Sequence, residues 1–352
     1  MGEQREGADI IVSVKNLEVS FNLRGQILHA VRNVSLDIFR GESLAIVGES
    51  GSGKSVFCKT FMGLLDANGS LDSGEIRYYR EPSAEGINLA KLKTDREWQP
   101  YRGGAIAMVM QDPLTSLNPL KTVGSQIVEA IEIHQKLKGR SAKEKAIACL
   151  EDVGIAMPEK RFSQFPHEFS GGMRQRVVIA IAIACNPRLL ICDEPTTALD
   201  VTIEAQILSL IKGMKQKYQL TTLYITHDLG VVANVADRIV VMYAGDFVEI
   251  GTAEDIFYNP RHPYTWALLS SMPSSGVKGE ELFSIRGTPP SLFQHITGDA
   301  FAPRNPYALK IDFVRRPPLF QVSPTHFVRS WLLDPRAPLV APPEIIRRKA
   351  RV

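Results

Sequence analysis

Apolar residues are spaced in two different ways along the chain, and each spacing predicts a different kind of element. Within residues 11–43 they alternate with polar ones, as at Val34, Leu36 and Ile38, which indicates strands that bury one face. Within residues 122–166 they recur three or four positions apart, which is typical of helices with one buried face. We therefore expect a small antiparallel β layer from the first segment and a group of helices from the second.

Short, uninterrupted apolar runs lie elsewhere in the chain and predict buried strands. They cover residues 43–47, 105–110 and 189–192, and residues 221–226 form another strand-like run. An amphipathic helix is expected over Val201–Tyr218. Buried strands that alternate with helices are typical of an α/β fold.

The composition of the chain changes near Met272, after which proline, serine and glycine become frequent. Such residues favour turns and irregular chain over regular elements. We therefore divide the sequence into an N-terminal tail (1–10), an α/β domain (11–258) with a helical subdomain at about 112–176, and a C-terminal extension (259–352).

The first apolar run leads directly into residues 48–55, which have the sequence GESGSGKS, and a helix is expected at residues 56–65. This strand, loop and helix fit the phosphate-binding pattern G-x-x-x-x-G-K-[ST]. Glycines let successive N–H groups point at phosphate oxygens, and the start of a helix adds partial positive charge. We expect Lys54 to reach the β- and γ-phosphates and Ser55 to bind Mg²⁺. A glycine-rich turn that happens to contain a lysine is the alternative, and the flanking strand and helix argue against it. The loop residues expected to bind the nucleotide are Gly48, Ser50, Gly51 and Gly53.

Two adjacent acids, Asp193 and Glu194, end the run at residues 189–192. A buried strand delivers such residues to the edge where ligands bind in open α/β sheets. We expect Asp193 to hold Mg²⁺ and Glu194 to polarise the attacking water as a general base. Most Asp-Glu pairs at strand ends are simply solvated, so this interpretation depends on the phosphate loop nearby.

Gln111 and His227 each follow another apolar run, at residues 105–110 and 221–226. Gln111 is expected to contact both Mg²⁺ and the attacking water, and His227 is expected to contact the γ-phosphate. A lone polar residue at a strand end usually has no such role, but the shared placement favours one here.

Residues 169–176, with the sequence FSGGMRQR, place Ser170, Gly171 and Gly172 where a helix is expected to begin, shortly before the acidic strand. With the other motifs, this segment resembles the signature of the ATP-binding cassette family, and the resemblance covers residues 11 to about 252. It implies that these three residues bind the γ-phosphate of ATP held by a second, similar domain.

The same resemblance assigns further parts of the chain. It implies a D-loop at residues 198–200 and an aromatic residue that stacks on adenine, for which Phe21 is the candidate; a core phenylalanine is the alternative for that position. The commonest signature has Leu and Gln where this chain has Phe169 and Met173. Because the phosphate-facing residues are intact, we expect the site to be competent.

Longer strings narrow the resemblance to the ATPase subunits of oligopeptide and dipeptide importers. They are MQDPLTSLNP at residues 110–119, NPRHPYT at 259–265, RGTPPSL at 286–292 and PRNPYA at 303–308. With these strings the resemblance extends to about residue 333. It implies a P-loop ATPase of the D type, which powers peptide import by hydrolysing ATP in a closing dimer.

The partners implied by this resemblance are a related F-type ATPase subunit or a second copy, two transmembrane permease subunits and an extracytoplasmic peptide-binding protein. A permease helix is expected in a groove near residues 111–118. The alternative function is a soluble ATP-binding cassette ATPase without a membrane partner, although the chain shows one cassette and no sustained heptads. A P-loop GTPase or kinase would leave Ser170–Gly172 and His227 without a purpose.

The predicted cofactors are ATP and Mg²⁺, without an iron-sulfur cluster. Many relatives have four cysteines in the extension, suited to such a cluster. The matching positions here are Asp299, Asn305, Asp312 and Ser330, whereas the cysteines are Cys58, Cys149, Cys185 and Cys192.

Composition agrees with a globular, cytosolic protein, and the resemblance implies a place at the cytoplasmic face of the cell membrane. The 352 residues are 44% hydrophobic and carry a net charge of +3, too weak to indicate nucleic-acid binding. The N-terminus is polar and lacks a signal region, and no run approaches the roughly 20 apolar residues that span a bilayer. We therefore expect peripheral membrane association, with the basic tail at residues 347–351 solvated rather than bound to lipid.

Overall fold

The computed structural model describes residues 9–82, 85–196, 200–272, 285 and 287–349. Most of the expected N-terminal tail lies outside these residues. Ala198 and Leu199 of the expected D-loop, Arg286 of the extension and residues 350–352 lie outside them as well.

The described residues form strands, α-helices and short 3₁₀ helices in mixed order. The strands are β1 (Ile10–Leu23), β2 (Gln26–Phe39), β3 (Ser43–Val47), β4 (Gly69–Tyr78), β5 (Ile87–Asn88), β6 (Ile106–Val109), β7 (Leu189–Asp193), β8 (Thr221–Thr226), β9 (Arg238–Tyr243), β10 (Asp246–Thr252), β11 (Phe320–Gln321) and β12 (Phe327–Val328). The α-helices are α1 (Lys54–Thr60), α2 (Asp95–Trp98), α3 (Pro113–Ser116), α4 (Val123–Gln135), α5 (Gly139–Asp152), α6 (Pro158–Arg161), α7 (Gly171–Ala184), α8 (Val201–Tyr218), α9 (Leu229–Val235), α10 (Ala253–Tyr258), α11 (Pro263–Ser270) and α12 (Glu344–Lys349). The 3₁₀ helices are Leu89–Lys91, Pro166–Glu168, Ala302–Arg304, Lys310–Phe313 and Trp331–Leu333.

The central sheet has the order β11-β12-β10-β9-β3-β8-β7-β6. Five neighbouring strands of this sheet run parallel: β9, β3, β8, β7 and β6. Three of them, β3, β7 and β8, are buried at every residue. The predicted apolar runs therefore coincide with strands that are covered on both faces. Because parallel strands end at the same edge, the segments after β3, β6, β7 and β8 meet there.

Two hydrophobic cores lie on opposite faces of this sheet. Along β3, Ala45 and Val47 belong to the core shared with the helices, whereas Leu44 and Ile46 belong to the core shared with β1 and β2. This division follows from the alternation of side chains along a strand. One short strand thus joins both layers of the domain.

The antiparallel β layer expected from the N-terminal segment is confirmed. Its order is β2-β1-β4-β5, and β1 pairs antiparallel with both β2 and β4. The strand β4 has an exposed, polar first half, so its sequence lacks the apolar alternation that indicates a strand. Its position depends on pairing with β1, which no local pattern reveals.

The helix that follows the phosphate loop is shorter than expected. Helix α1 ends at Thr60, whereas a helix was expected at residues 56–65. Gly63 adopts a left-handed backbone with φ of 59°, and a Cβ there would lie 2.4 Å from the Trp98 ring. A tight turn against this ring therefore replaces the last helical turn.

The helical subdomain consists of α3 to α6 and the first part of α7. Ile127, Ile131 and Leu150 are fully buried, in line with the helical spacing in the sequence. Helix α7 continues to Ala184 and packs against β6, so one helix connects the subdomain to the central sheet.

The C-terminal extension is largely irregular after α11, as its proline content predicts. Its strand β12 pairs antiparallel with β10, so the central sheet continues into the extension. Arg316 donates two hydrogen bonds of 2.7 Å to the buried carboxylate of Asp246 on β10. Among the described residues, no helix is both long and apolar enough to cross a bilayer.

Candidate active site

The loop between β3 and α1 approaches neighbouring backbone so closely that side chains are excluded at two positions. A Cβ at Gly48 would lie 2.1 Å from the carbonyl oxygen of Met242, and one at Gly53 would lie 2.3 Å from that of Ala30. Gly53 also has a φ of 101°, a conformation that favours glycine. Both glycines of the sequence motif are therefore required by the local geometry.

Lys54 and Ser55 lie at the start of α1 and face the acids at the end of β7. The buried Lys54 donates to the carbonyl oxygens of Gly48 at 2.8 Å and of Glu49 at 3.0 Å. Burial lowers the pKa of Lys54, and the nearby carboxylates, above all that of Glu194, oppose this shift. The ammonium group thus lies in the loop beside negative charge, where it is poised to meet phosphate oxygens.

Asp193 ends β7 with its carboxylate against the phosphate loop. The Ser55 hydroxyl donates to Asp193 Oδ1 at 2.8 Å. Burial raises the pKa of Asp193 above its ordinary value, and the hydrogen bond from Ser55 opposes this rise. A hydroxyl and a carboxylate so close together offer the oxygen ligands that Mg²⁺ prefers.

Glu194 lies between the side chains that follow the two neighbouring strands. Gln111 Nε2 donates to Glu194 Oε2 at 3.3 Å, and His227 Nδ1 lies 3.2 Å from Glu194 Oε1. Glu194 has a left-handed backbone with φ of 44°, which is uncommon for a residue with a side chain. The structure therefore brings together Gln111, Glu194 and His227 after β6, β7 and β8.

Ser170, Gly171 and Gly172 begin helix α7, as the sequence indicates. Ser170 is the N-cap, and its hydroxyl accepts a hydrogen bond of 3.4 Å from the N–H of Met173. A Cβ at Gly172 would lie 2.8 Å from the Ile203 side chain, so this residue is packed closely against α8.

The remaining nucleotide-binding candidates lie at less constrained positions. Ser50 and Gly51 are exposed at the tip of the phosphate loop. Phe21 is half-buried on β1, where a Cβ at Gly69 on β4 would lie 2.6 Å from its ring. This ring therefore lies against β4, and its stacking on adenine stays a prediction.

Sequence reasoning missed the residues that hold the phosphate loop from the other side. The N–H of Glu49 donates to the Tyr264 hydroxyl at 2.8 Å, and Arg304 forms an ion pair of 2.7 Å with the Glu49 carboxylate. Both partners lie far along the chain, within the strings at residues 259–265 and 303–308. Those strings point to a family resemblance but not to a contact with the phosphate loop, so only the folded structure reveals it.

Asp299, Asn305, Asp312 and Ser330, the positions at which the resemblance led us to look for cysteines, hold buried polar side chains. Each accepts a backbone N–H: from Phe301 to Asp299, from Tyr307 to Asn305, from Leu309 to Asp312 and from Leu332 to Ser330. Burial raises the pKa of Asp299 to about 7. These side chains stabilise turns of the extension.

Comparison with known proteins agrees with the fold. The family model described as ABC transporter matches residues 31–197, and the one described as Oligopeptide/dipeptide transporter, C-terminal region, matches residues 248–311. The ATP-binding cassette MJ0796, solved as a dimer in a post-hydrolysis state with ADP and Pi, has a TM-score of 0.59 and 29% identity. The match covers 69% of this chain and 98% of that chain.

Curated relatives match along almost the whole chain. The oligopeptide transport ATP-binding protein OppD of Bacillus subtilis is 56% identical over 97% of this chain and 94% of its own length. AmiE of Streptococcus pneumoniae, an oligopeptide transport ATP-binding protein, is 52% identical over 96% and 94%. The dipeptide transport ATP-binding protein DppD of Lactococcus lactis is 51% identical over 96% and 95%. The chain therefore belongs to the family of oligopeptide and dipeptide transport ATP-binding proteins, which are ATPase subunits of ABC transporters.

Proposed function

We propose that this chain is the D-type subunit that hydrolyses ATP to power import of oligopeptides or dipeptides through a membrane ABC transporter. The observation that carries this proposal is the Glu194 carboxylate between Gln111 and His227, at the strand edge that also bears the phosphate loop. The names of the relatives support peptides as the cargo.

The residues around the phosphate loop fit ATP and Mg²⁺. Ser55, Asp193 and Gln111 supply oxygen atoms of the type that bind Mg²⁺, and the hydroxyl of Ser55 lies 2.8 Å from Asp193. Bound there, Mg²⁺ would offset negative charge on the phosphate oxygens. The backbone of Gly48, Ser50, Gly51 and Gly53 would contact the phosphates, since close packing keeps this loop free of side chains at Gly48 and Gly53.

Each catalytic side chain has a distinct role in this proposal. Lys54 exchanges its two loop carbonyls for phosphate oxygens and stabilises their charge. Glu194 orients the attacking water and accepts its proton. Gln111 and His227 hold one carboxylate oxygen each, which fixes the direction in which Glu194 faces. His227 also contacts the γ-phosphate once ATP is bound.

The active site is completed by a second cassette. Ser170, Gly171 and Gly172 offer the free N–H groups at the start of α7 to the γ-phosphate of ATP in the partner. The dimeric structure of MJ0796 with ADP and Pi supports this arrangement. The partner is a related F-type ATPase subunit or a second copy of this chain, and hydrolysis reopens the dimer.

The further partners are two transmembrane permease subunits and an extracytoplasmic peptide-binding protein, without nucleic acid. The chain then lies at the cytoplasmic face of the membrane as a peripheral subunit. Phe21 is the proposed platform for adenine, because an aromatic ring stacks on a base.

The extension carries no iron-sulfur cluster in this proposal. Asp299, Asn305, Asp312 and Ser330 accept hydrogen bonds within turns, where relatives with a cluster need thiolates. Stoichiometric iron or labile sulfide in the purified protein would overturn this part.

The test is the ATPase activity of the subunit alone and with its co-purified partners in lipid nanodiscs. Stimulation by a peptide-loaded binding protein, above the level with the unloaded binding protein, is the expected result. Activity that is robust and ignores every membrane partner would instead favour a soluble ATP-binding cassette ATPase.

A further inference from the structure

The phosphate loop is held at Glu49 by two residues that lie beyond the expected cassette boundary. We propose that Arg304 of the extension is a positioning residue for nucleotide binding: with Tyr264, it fixes Glu49 so that the loop keeps its phosphate-binding shape before ATP arrives. This inference rests on the proposed function, because it concerns the same nucleotide site.

Tyr264 holds the backbone of the loop. The N–H of Glu49 donates to the Tyr264 hydroxyl at 2.8 Å, and Tyr264 is fully buried on α11. Its ring lies 4.5 Å from the ring of Tyr243 and 5.3 Å from that of Phe301, measured between centroids. A rigid aromatic cluster therefore fixes the hydroxyl that accepts this hydrogen bond.

Arg304 holds the side chain of the same residue. Its Nη1 donates to Glu49 Oε2 at 2.7 Å and its Nη2 donates to Glu49 Oε1 at 3.1 Å. Nη1 also donates to the Tyr243 hydroxyl at 3.1 Å. The Arg304 side chain is only 6% exposed, against 24% for that of Glu49, so a buried guanidinium group binds a partly exposed carboxylate. Such bidentate, charge-assisted contacts fix orientation as well as position.

The contacts of Glu49 divide into those that nucleotide binding removes and those that it leaves. Lys54 holds the carbonyl side of the loop by donating to Gly48 and Glu49. In the proposed function this ammonium moves to the phosphates, so the loop loses those hydrogen bonds when ATP binds. Arg304 and Tyr264 contact Glu49 on its side chain and its N–H, and neither contact has to break.

Residues outside the phosphate site therefore support the loop both before and after ATP binds. A loop that already has its binding shape loses less conformational freedom on binding, which raises affinity. The extension thereby acts on nucleotide affinity without touching the nucleotide.

The test measures binding of ADP with Mg²⁺ to the full chain by calorimetry. We expect Arg304→Gln and Glu49→Gln each to raise the Kd about tenfold, which corresponds to about 1.4 kcal/mol. The double variant should bind about as weakly as either single variant, because both remove the same contact. Arg304→Lys keeps the positive charge but loses the bidentate contact of the guanidinium group. It should therefore bind ADP more tightly than Arg304→Gln but more weakly than the unchanged protein.

Arg316→Gln is the matched control. Arg316 also joins the extension to the cassette by a bidentate ion pair, but its partner is Asp246 on β10 rather than the phosphate loop. Both arginine variants should lower the melting temperature, whereas only Arg304→Gln should change the Kd. Glu49→Gln guards against misfolding, since it is a nearly isosteric change at a partly exposed residue.

Two results would overturn the positioning role. One is a Kd for Arg304→Gln and Glu49→Gln within about twofold of the unchanged protein. The other is an equal loss of affinity in Arg316→Gln, which would assign the effect to general stability. Failure of the unchanged protein to bind ADP or ATP is a different result, and it would refute the proposed function itself.

Discussion

Replacing Glu194 by glutamine separates the chemistry of ATP hydrolysis from ATP binding. The change removes one negative charge and the capacity to accept a proton, while the side chain keeps its size. The glutamine oxygen can still accept from Gln111 Nε2, and its NH₂ group faces His227 Nδ1, which accepts in one tautomer. We therefore expect the melting temperature to stay close to that of the unchanged protein.

The expected magnitude follows from the role of a general base. Removing such a group costs about 10²- to 10⁴-fold in rate, or roughly 3 to 5 kcal/mol in activation free energy. ATP binding should not weaken, because Lys54, Ser55 and Asp193 keep their contacts. Glu194 also lies near the ammonium group of Lys54, so its neutralisation removes an anion that would repel phosphate.

The assay compares phosphate release, ATP binding and dimer size for Glu194→Gln and the unchanged protein, with the second cassette present. The variant should bind ATP, release phosphate at least about a hundredfold more slowly and accumulate as a closed dimer. Glu204→Gln serves as a control, since the Glu204 carboxylate accepts a hydrogen bond from the Thr196 hydroxyl rather than contacting Gln111 or His227. Turnover by Glu194→Gln at the rate of the unchanged protein would refute the assignment of the base.

Three further changes test other parts of the site and the fold. Gly53→Ala should abolish detectable ATP binding, because its Cβ would lie 2.3 Å from the carbonyl oxygen of Ala30; a calorimetric titration that finds normal affinity would contradict the close packing. Lys54→Met should weaken ATP binding at least about tenfold through loss of the charge that faces the phosphates, and an unchanged Kd by the same titration would exclude that contact. His262 has a pKa lowered to about 3 by burial, so the unfolded chain takes up a proton below about pH 6.5 and the folded chain does so only near 3. The contribution of His262 to the free energy of unfolding is therefore complete above about pH 6.5. It falls by up to about 1.4 kcal/mol per pH unit as the pH drops towards 3. His262→Asn keeps an acceptor for the N–H of Tyr264, so in urea unfolding at pH 7, 6 and 5 its free energy of unfolding should depend less on pH than that of the unchanged protein. The same pH dependence in both proteins would contradict the role of His262.

The parallel part of the sheet was predictable because burial on both faces leaves a simple pattern. Strands β3, β7 and β8 have no exposed side, so β3 and β7 appear in the sequence as largely apolar runs and β8 as a run of apolar residues and threonines. The polar residues directly after such runs were then expected at one edge of the sheet. The contacts of Glu194 with Gln111 and His227 agree with this reasoning.

The sequence pattern failed where charged residues are buried. Asp246 and Glu249 lie on β10 with exposed fractions of 4% and 0%, although charged residues usually indicate a solvated face. Asp246 is paired with Arg316, and Glu249 accepts from His326 at 2.7 Å. Each partner lies in the extension, so no local pattern distinguishes these acids from exposed ones.

These buried pairs also explain how the extension reaches the phosphate loop. The Glu249 carboxylate accepts the N–H groups of Arg261 at 2.6 Å and His262 at 3.1 Å, just before α11 begins. His326 of the extension holds the same carboxylate, so the start of α11 is fixed by a residue from each side of the expected boundary at 258. Helix α11 then carries the tyrosine that holds Glu49. Because the buried carboxylate of Glu249 takes its hydrogen bonds from Arg261, His262 and His326 of the extension, the same residues stabilise β10 of the cassette and the start of the helix that holds the phosphate loop.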